Sequence, residues 1–407
     1  MPDLPRRPEF AALPVTLRAG GPLHSIDSRP LPAYAPEVLE GLGALSRRLL
    51  DDPQIRQYPD VATFAYWCRS ANLRHLAEAF HDGRQRLGRG LALHITPANV
   101  PINFAYSLAF GMLAGNANIV RVPEAFPQTA IVCEALAALF AEPRHARIAA
   151  MNRLVSYPRN DDITRALSAH CQARLLWGGD ETIAHLRTLP IPPRCIELTF
   201  SDRYSLCLLA AAAVRDASPA ALEQLAAGFY NDAYLLDQNA CSSPHLVFWL
   251  GTADEAAAAQ ARFWPSLTRI AGQKYPLTAI QAVDKLTALC RFAATLPDMA
   301  GAVRHANLVY RIRLDALPAD IAQHRGRHGL FFEYVSEQLD SLAPVVNARY
   351  QTLSTFGLDR DALVRHIAAQ GLAGIDRVVP VGKALDIGVL WDGHDLAATL
   401  SRIVASQ

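Results

Sequence analysis

Lysine is nearly absent from this chain. Of its 39 basic side chains only Lys274, Lys285 and Lys383 are lysines, and the other 36 are arginines. A mechanism that needs a Schiff-base or phosphate-binding lysine therefore has few residues to use. Charge as a whole is scarce, at 19% of residues with a formal net charge of +1, which argues against nucleic acid held by a broad basic field. The seven cysteines, at positions 68, 133, 171, 195, 207, 241 and 290, are odd in number and contain no Cys-x-x-Cys pair. Neither a disulfide framework nor a bound metal is expected from them. No apolar run follows the charges of the opening MPDLPRRPEF, so no secretory signal is read there. The most apolar stretch, Leu206 to Val214, is far too short to span a bilayer, and a cytoplasmic protein without a membrane span is the expectation.

What the chain has in quantity is apolar surface. Hydrophobic residues make up 51% of its 407 positions, which excludes a disordered chain, and about 150 residues per domain gives two to three domains. Residues 1–60 are proline-rich with weak periodicity, apart from a short amphipathic patch at Val38 to Leu50, and read as an arm laid over the main body. From about Gly90, short apolar runs alternate with helical segments, the mark of a parallel sheet covered by helices on both faces. Leu91 to Thr96, Ile119 to Val122, Arg153 to Tyr157, Arg174 to Trp177 and Ile196 to Phe200 read as strands. Phe104, Leu108 and Met112, spaced by four, mark a buried helix between the first two. The pattern continues through Tyr204 to Val214 and Pro244 to Leu250, later strands near Asn307 to Leu314, Phe331 to Val335 and Gln351 to Phe356, and helices between them. The fold class is α/β, divided as an arm (1–60), a Rossmann-like nucleotide-binding domain (61–215), a catalytic domain (216–375) and a C-terminal segment packing back on the body (376–407).

Three loops carry candidate chemistry. Thr96-Pro97-Ala98-Asn99-Val100-Pro101 joins a strand to a buried helix. Its two prolines stiffen a turn in which the Asn99 amide can be a pre-aimed oxyanion donor or simply a helix cap. Leu175-Leu176-Trp177-Gly178-Gly179-Asp180 is a strand, glycine turn and helix start, where backbone N–H groups suit a pyrophosphate. It lacks the G-x-G-x-x-G spacing, and an ordinary N-cap is the plain alternative. Asp237-Gln238-Asn239-Ala240-Cys241-Ser242-Ser243-Pro244 sets a cysteine among small polar residues before an apolar strand. A solvent-reachable thiol there becomes a strong nucleophile once its pKa is lowered. The other cysteines read as inert and buried, and His245 is expected to face outward.

Taken in order, TPANVP, GNANIVRVPEAFP (115–127), LLWGGDETIAHLRTLPIPPR (175–194), FSDRYSLCLL (200–209), DQNACSSPHLVF (237–248) and GIDRVVPVGKALDIGVLWDGHDL (374–396) resemble the acyl-CoA reductase family of the LuxC type. That family is named for the fatty-acid reductase of luminous bacteria and belongs to the aldehyde dehydrogenase superfamily. The resemblance implies an aldehyde-dehydrogenase-like fold, with Cys241 as nucleophile and Asn99 as the oxyanion amide. It sets Gly178 and Gly179 beneath the cofactor, and Arg121 and Glu124 against the adenosine ribose. The superfamily prefers lysine where this chain has Arg121, and a guanidinium forks well onto a 2′-phosphate, which favours NADPH over NADH. Glu197 matches the water-activating base of oxidative members, and Glu333 the glutamate touching the nicotinamide ribose. The implied reaction is reduction of an acyl thioester, on coenzyme A, a carrier or a protein, to the aldehyde. An acyl-protein synthetase partner and a homo-oligomer come with the family. The alternatives are an aldehyde dehydrogenase running toward the acid through Glu197, and a catalytically silent subunit of an acyl-activating complex.

Overall fold

Runs buried from end to end, such as Leu91–Ile95 and Ala173–Trp177, are what a parallel strand covered on both faces requires, and they build the first of two large sheets. The computed structural model describes residues 7–98 and 100–406. It divides into two compact units, one running through Ser201 and resuming at His394, the other spanning Asp202–Gly393.

In the first unit the strands are Thr16–Ala19 (β1), Gln85–Gly88 (β2), Leu91–Ile95 (β3), Ala117–Arg121 (β4), Asn152–Ser156 (β5), Ala173–Trp177 (β6) and Ile196–Phe200 (β7). Six of them form a sheet in the order β1-β5-β4-β3-β6-β7, parallel except for β1. The chain steps outward from β3 through β4 to β5, then crosses back to β6 on the other side. The gap between the carboxyl ends of β3 and β6 is thus a topological switch point, where open α/β sheets bind ligands. The helix Asn103–Leu113, which follows β3, is buried along its whole length. Its Phe104, Tyr106, Leu108 and Phe110 are ordinary core.

Residues 1–60 are not an overlaid arm. Strand β1 extends the sheet edge, and the helix Pro36–Asp51 buries Val38, Leu42, Leu45 and Leu49 against the helices Pro59–Trp67 and Pro127–Phe140. Spacings of three and four put those four residues on one face. At the other end, the strand Ser401–Val404 pairs antiparallel with β2.

The second unit holds Tyr204–Ala210 (β8), Pro244–Leu250 (β9), Met299–His305 (β10), Val309–Leu314 (β11), Leu330–Ser336 (β12), Tyr350–Phe356 (β13) and Arg377–Pro380 (β14), ordered β10-β11-β12-β9-β8-β13-β14. The division between units falls at 201/202 rather than near 215, because β8 already pairs with β9 and β13. Alternation splits the sheet's side chains between two cores. Cys207, Leu209, Val247 and Trp249 face one, with Phe229, Phe263 and Trp264; Leu206, Leu208, Leu246 and Phe248 face the other, with Phe292 and Phe332. Lys285, on the helix Ala279–Thr295, is buried and donates to the carbonyls of Asn307, Leu308 and His328. Burial pulls its ammonium down to about 8. Among the described residues no helix is long and apolar enough to cross a membrane.

Candidate active site

After the helix Pro219–Tyr234 the chain must turn sharply to enter β9. Asp237 and Gln238 make the turn with φ of 52° and 63°, in the left-handed region. The Gln238 side chain, 1% exposed, pins it by donating to the carbonyls of Pro244 and Leu330 and accepting from the Gly329 N–H. Ser243 Oγ donates to the Asp232 carbonyl at 2.7 Å, and Ser205 Oγ donates to the Cys241 carbonyl at 2.7 Å. Cys241 thus sits on backbone fixed from both sides.

Cys241 as a residue is half-buried. Gln351 Nε2, on β13, lies 3.4 Å from Cys241 Sγ and also donates to Asp392, which is paired in turn with Arg203 at 3.5 Å. Arg377, on β14, stacks over Trp391 at 4.4 Å and adds a positive charge to the surroundings of Cys241. Burial, helped by the Asp392 charge, pushes the thiol up to about 11, while the Gln351 hydrogen bond and Arg377 pull the other way. The lowered pKa expected of a nucleophile is therefore not present in the resting unit. Iodoacetamide alkylation of Cys241, followed by peptide mapping, should speed up about tenfold per pH unit from about pH 7 to 10, because only the thiolate reacts. A plateau near neutral pH would contradict this electrostatic picture.

Three neighbouring expectations need correction. His245 does not face outward: it is buried, stacks on Tyr204 at 5.4 Å, and burial lowers it to about 3, so it stays neutral. Glu333 is 2% exposed, and both its oxygens are engaged. Oε1 accepts from Trp249 and Trp264 Nε1 at 2.8 Å each, and Oε2 from Arg311 Nε at 2.6 Å. A buried ion pair of the core leaves no face for a ribose. Nor are all the other cysteines inert and buried, since Cys195 is half-buried and Cys290 exposed.

The first unit carries the remaining candidates. Gly178 and Gly179 follow β6 at the switch point and open the helix Asp180–Arg187. The preceding Trp177 is fixed by stacking on Phe200, 3.7 Å between centroids, and by donating from Nε1 to Ser107 Oγ at 3.0 Å. Ser107 bonds His94 Nδ1 at 2.7 Å, and His94 Nε2 bonds Asn118 Oδ1 at 3.0 Å. Asn118 Nδ2 donates to the Asn116 carbonyl and to Asn152 Oδ1. Its Oδ1 is therefore an acceptor, His94 carries its proton on Nε2, and Ser107 donates to Nδ1. Burial lowers His94 to about 4, so this chain of bonds stays neutral and unbroken at physiological pH. It holds the strand end from which the glycine turn departs.

Arg121 ends β4 on the same carboxyl edge. Its Nε and Nη2 donate to the Tyr157 carbonyl at 3.2 Å, and its guanidinium lies 4.9 Å over the Tyr157 ring. Glu124 is exposed three residues on. Asn99 lies outside the described residues. Glu197 is the second residue of β7, near the amino end of the sheet and away from the glycine turn. Its carboxylate pairs with the buried Arg174 and, at 3.1 Å, with Arg187, the environment of a structural anion rather than of a base. Gln351 carries no local mark of its role. Arg377 and Asp392 lie in the 374–396 segment, more than a hundred residues from Cys241, and reach its surroundings only in the fold, Arg377 through the pairing of β14 with β13 and Asp392 through Gln351.

A family model described as acyl-CoA reductase (LuxC) matches residues 72–405. The long-chain acyl-protein thioester reductase of Vibrio harveyi is 31% identical over 167 residues, which is 40% of this chain and 32% of that protein. The protein of the same name from Aliivibrio fischeri is 28% identical over 166 residues, again 32% of its length. The match thus takes in about a third of these relatives. Among solved structures, a NAD-dependent benzaldehyde dehydrogenase from Corynebacterium glutamicum aligns over 87% of this chain and 84% of its own, with a TM-score of 0.54 and 15% identity. A proline utilization A variant from Bradyrhizobium japonicum aligns over 92% of this chain and 43% of its own, with a TM-score of 0.62 and 16% identity. The fold is aldehyde-dehydrogenase-like.

Proposed function

The chain belongs to the acyl-CoA reductase (LuxC) family of enzymes, and from that premise we propose that it reduces a fatty acyl thioester to the aldehyde through an acyl-cysteine on Cys241, with NADPH as reductant. The observation that carries the reading is Cys241 itself, a half-buried cysteine on a pinned loop with the Gln351 amide 3.4 Å from its sulfur.

Cys241 Sγ attacks the thioester carbonyl, and its backbone N–H, with the Asn99 amide supplied by the resemblance, holds the oxyanion. The departing thiolate, from coenzyme A or a carrier protein, takes up the proton that Cys241 gives away. No separate base is needed for that exchange, which suits a thiol whose resting pKa is high. The nucleotide fits the carboxyl edge of the first sheet, where Gly178 and Gly179 allow close approach at the switch point and Arg121 offers a guanidinium. Bound there, NADPH would supply the hydride that reduces the acyl carbonyl. Collapse of the Cys241 thiohemiacetal releases the aldehyde and restores the thiolate, which is reprotonated. The ion pairs on Glu197 speak against the oxidative alternative, since a carboxylate held by two guanidiniums is poorly placed to activate water.

Intact mass spectrometry with a long-chain acyl-CoA and no nucleotide should show one acyl group on Cys241, and a chain-length series with NADPH and NADH should yield aldehyde. A protein that forms no adduct and no aldehyde with any chain length, on coenzyme A or on an acyl-carrier protein, would overturn the reading in favour of a silent subunit. In the same assay Arg121→Lys should lower the preference for NADPH over NADH by about tenfold, the loss of one bidentate contact to phosphate. An unchanged preference would remove Arg121 from the cofactor site. A homo-oligomer, an acyl-protein synthetase partner and a cytoplasmic location belong to the same proposal.

A further inference from the structure

We propose that Cys171 and Cys195 form a reversible, peroxide-oxidised dithiol site at the amino ends of β6 and β7, separate from the chemistry of Cys241. The two sulfurs lie 3.6 Å apart. Cys171 stands two residues before β6 and Cys195 one residue before β7, and the parallel register that pairs Ala173 with Ile196 sets these segments side by side. Both thiols belong to the same compact unit.

Their environments differ in the way an attacking and a resolving cysteine should. Cys195 is half-buried and so reachable by a small oxidant, whereas Cys171 is fully buried, with its sulfur 3.2 Å from the Ser168 carbonyl oxygen. The hydrogen bond with Cys171 lowers the Cys195 thiol below its ordinary value, and the charges of Arg174 and Arg89 act in the same direction, against burial and the Glu197 charge. Cys171 is pushed the opposite way, by the same hydrogen bond and by burial. Low-pKa, accessible cysteines poised beside a second thiol are the ones that oxidise reversibly. The proline-bounded segment Pro190–Pro193 precedes Cys195 and gives its loop little room to carry the sulfur away.

The step balances with a hydroperoxide as oxidant. Cys195 thiolate attacks one peroxide oxygen, the O–O bond breaks, and the leaving hydroxide takes a proton to become water. Cys195 is then a sulfenic acid. The Cys171 sulfur attacks it, the S–S bond forms, and a second water leaves. Two thiols are oxidised and one hydrogen peroxide is reduced to two waters; a dithiol reductant reverses the change. The bond would tie the loop before β7 to the loop before β6, at the sheet edge opposite Gly178 and Gly179.

The test uses the wild-type chain treated with stoichiometric hydrogen peroxide, alkylated, digested with trypsin without reduction and mapped by mass spectrometry. Cys171 and Cys195 fall in separate tryptic peptides, Ala166–Arg174 and Cys195–Arg203, each with one cysteine. The expected product is these two peptides joined, with the loss of two hydrogen atoms, and separated again by dithiothreitol. Cys195→Ser should abolish the joined pair and leave Cys171 alkylated, and Cys290→Ser should leave it intact. The proposal is overturned if both residues are recovered as alkylated thiols while Cys290 is oxidised, or if Cys195 accumulates as sulfinic acid beside a reduced Cys171. Should Cys195→Ser fail to fold, the wild-type map alone decides. None of these outcomes depends on acyl-CoA reduction.

Discussion

Replacing Cys241 with alanine is expected to lower thioester-dependent NADPH oxidation by at least about 10³-fold, because the proposed covalent intermediate is lost with its sulfur. The loss should fall on kcat and be matched by disappearance of the acyl adduct in intact mass spectrometry. The variant should fold normally. The loop around position 241 is held by Gln238, Ser205 and Ser243 through backbone groups and their own side chains, and among the described residues the sulfur's hydrogen-bond partner is Gln351. Circular dichroism and a thermal melt close to wild type would separate lost chemistry from lost structure. A Cys241→Ala protein that still consumed NADPH with acyl-CoA at near the wild-type rate would refute the acyl-cysteine route. The exposed Cys290 supplies the control: its replacement by serine should leave the rate unchanged.

The second large effect is on stability. Glu333→Gln should destabilise the folded protein by about 3–5 kcal/mol, since it leaves the Arg311 guanidinium buried without its counter-charge. The amide oxygen can still accept from one or both indoles, but the 2.6 Å contact from Arg311 to Oε2 would face an NH₂ group or a neutral oxygen. Gln260, which accepts from Arg311 Nη2 at 3.0 Å, carries no charge to compensate. A melting-temperature drop of roughly 10 °C is the corresponding signal. The same variant decides between the two roles considered for this residue. A ribose ligand would raise the KM for nucleotide and leave the melt unchanged; a core ion pair does the reverse.

The five parallel strands of the first sheet were legible in the sequence, most plainly Leu91–Ile95 and Ala173–Trp177, because a strand buried on both faces is apolar at nearly every position, whereas the edge strand Thr16–Ala19 is largely exposed and was not. The edge strand Met299–His305 was not, since its residues alternate between half-buried and exposed and the run MAGAVRH has only small apolar groups. Residues 1–60 misled because the amphipathic patch at Val38 to Leu50, which is the helix 36–51, stands among proline-rich connections that give no other periodic sign of packing. The Cys241 loop could be picked out by its small polar neighbours, and the glycine turn by its place after a strand. Gln351 could not be found: a glutamine inside a β-strand carries no local mark, and only the placing of β13 beside β8 brings it to the sulfur. Glu197 and Glu333 failed for one reason. Sequence position cannot reveal that an arginine on the neighbouring strand, Arg174 in one sheet and Arg311 in the other, has already claimed the carboxylate.

Lys285 has a consequence for the reagents that can be used on this molecule. With its ammonium enclosed by three backbone carbonyls, only Lys274 and Lys383 present side-chain amines at the surface, and Lys383 is drawn to Asp386 at 3.0 Å. Amine-directed probes therefore meet two lysines, one in each of two separate helical and loop settings, beside the chain's own amino terminus. Labelling with an N-hydroxysuccinimide ester is accordingly confined to few positions here, and a single Lys383→Arg exchange would leave Lys274 as the one surface lysine for a fluorophore or cross-linker without touching either sheet.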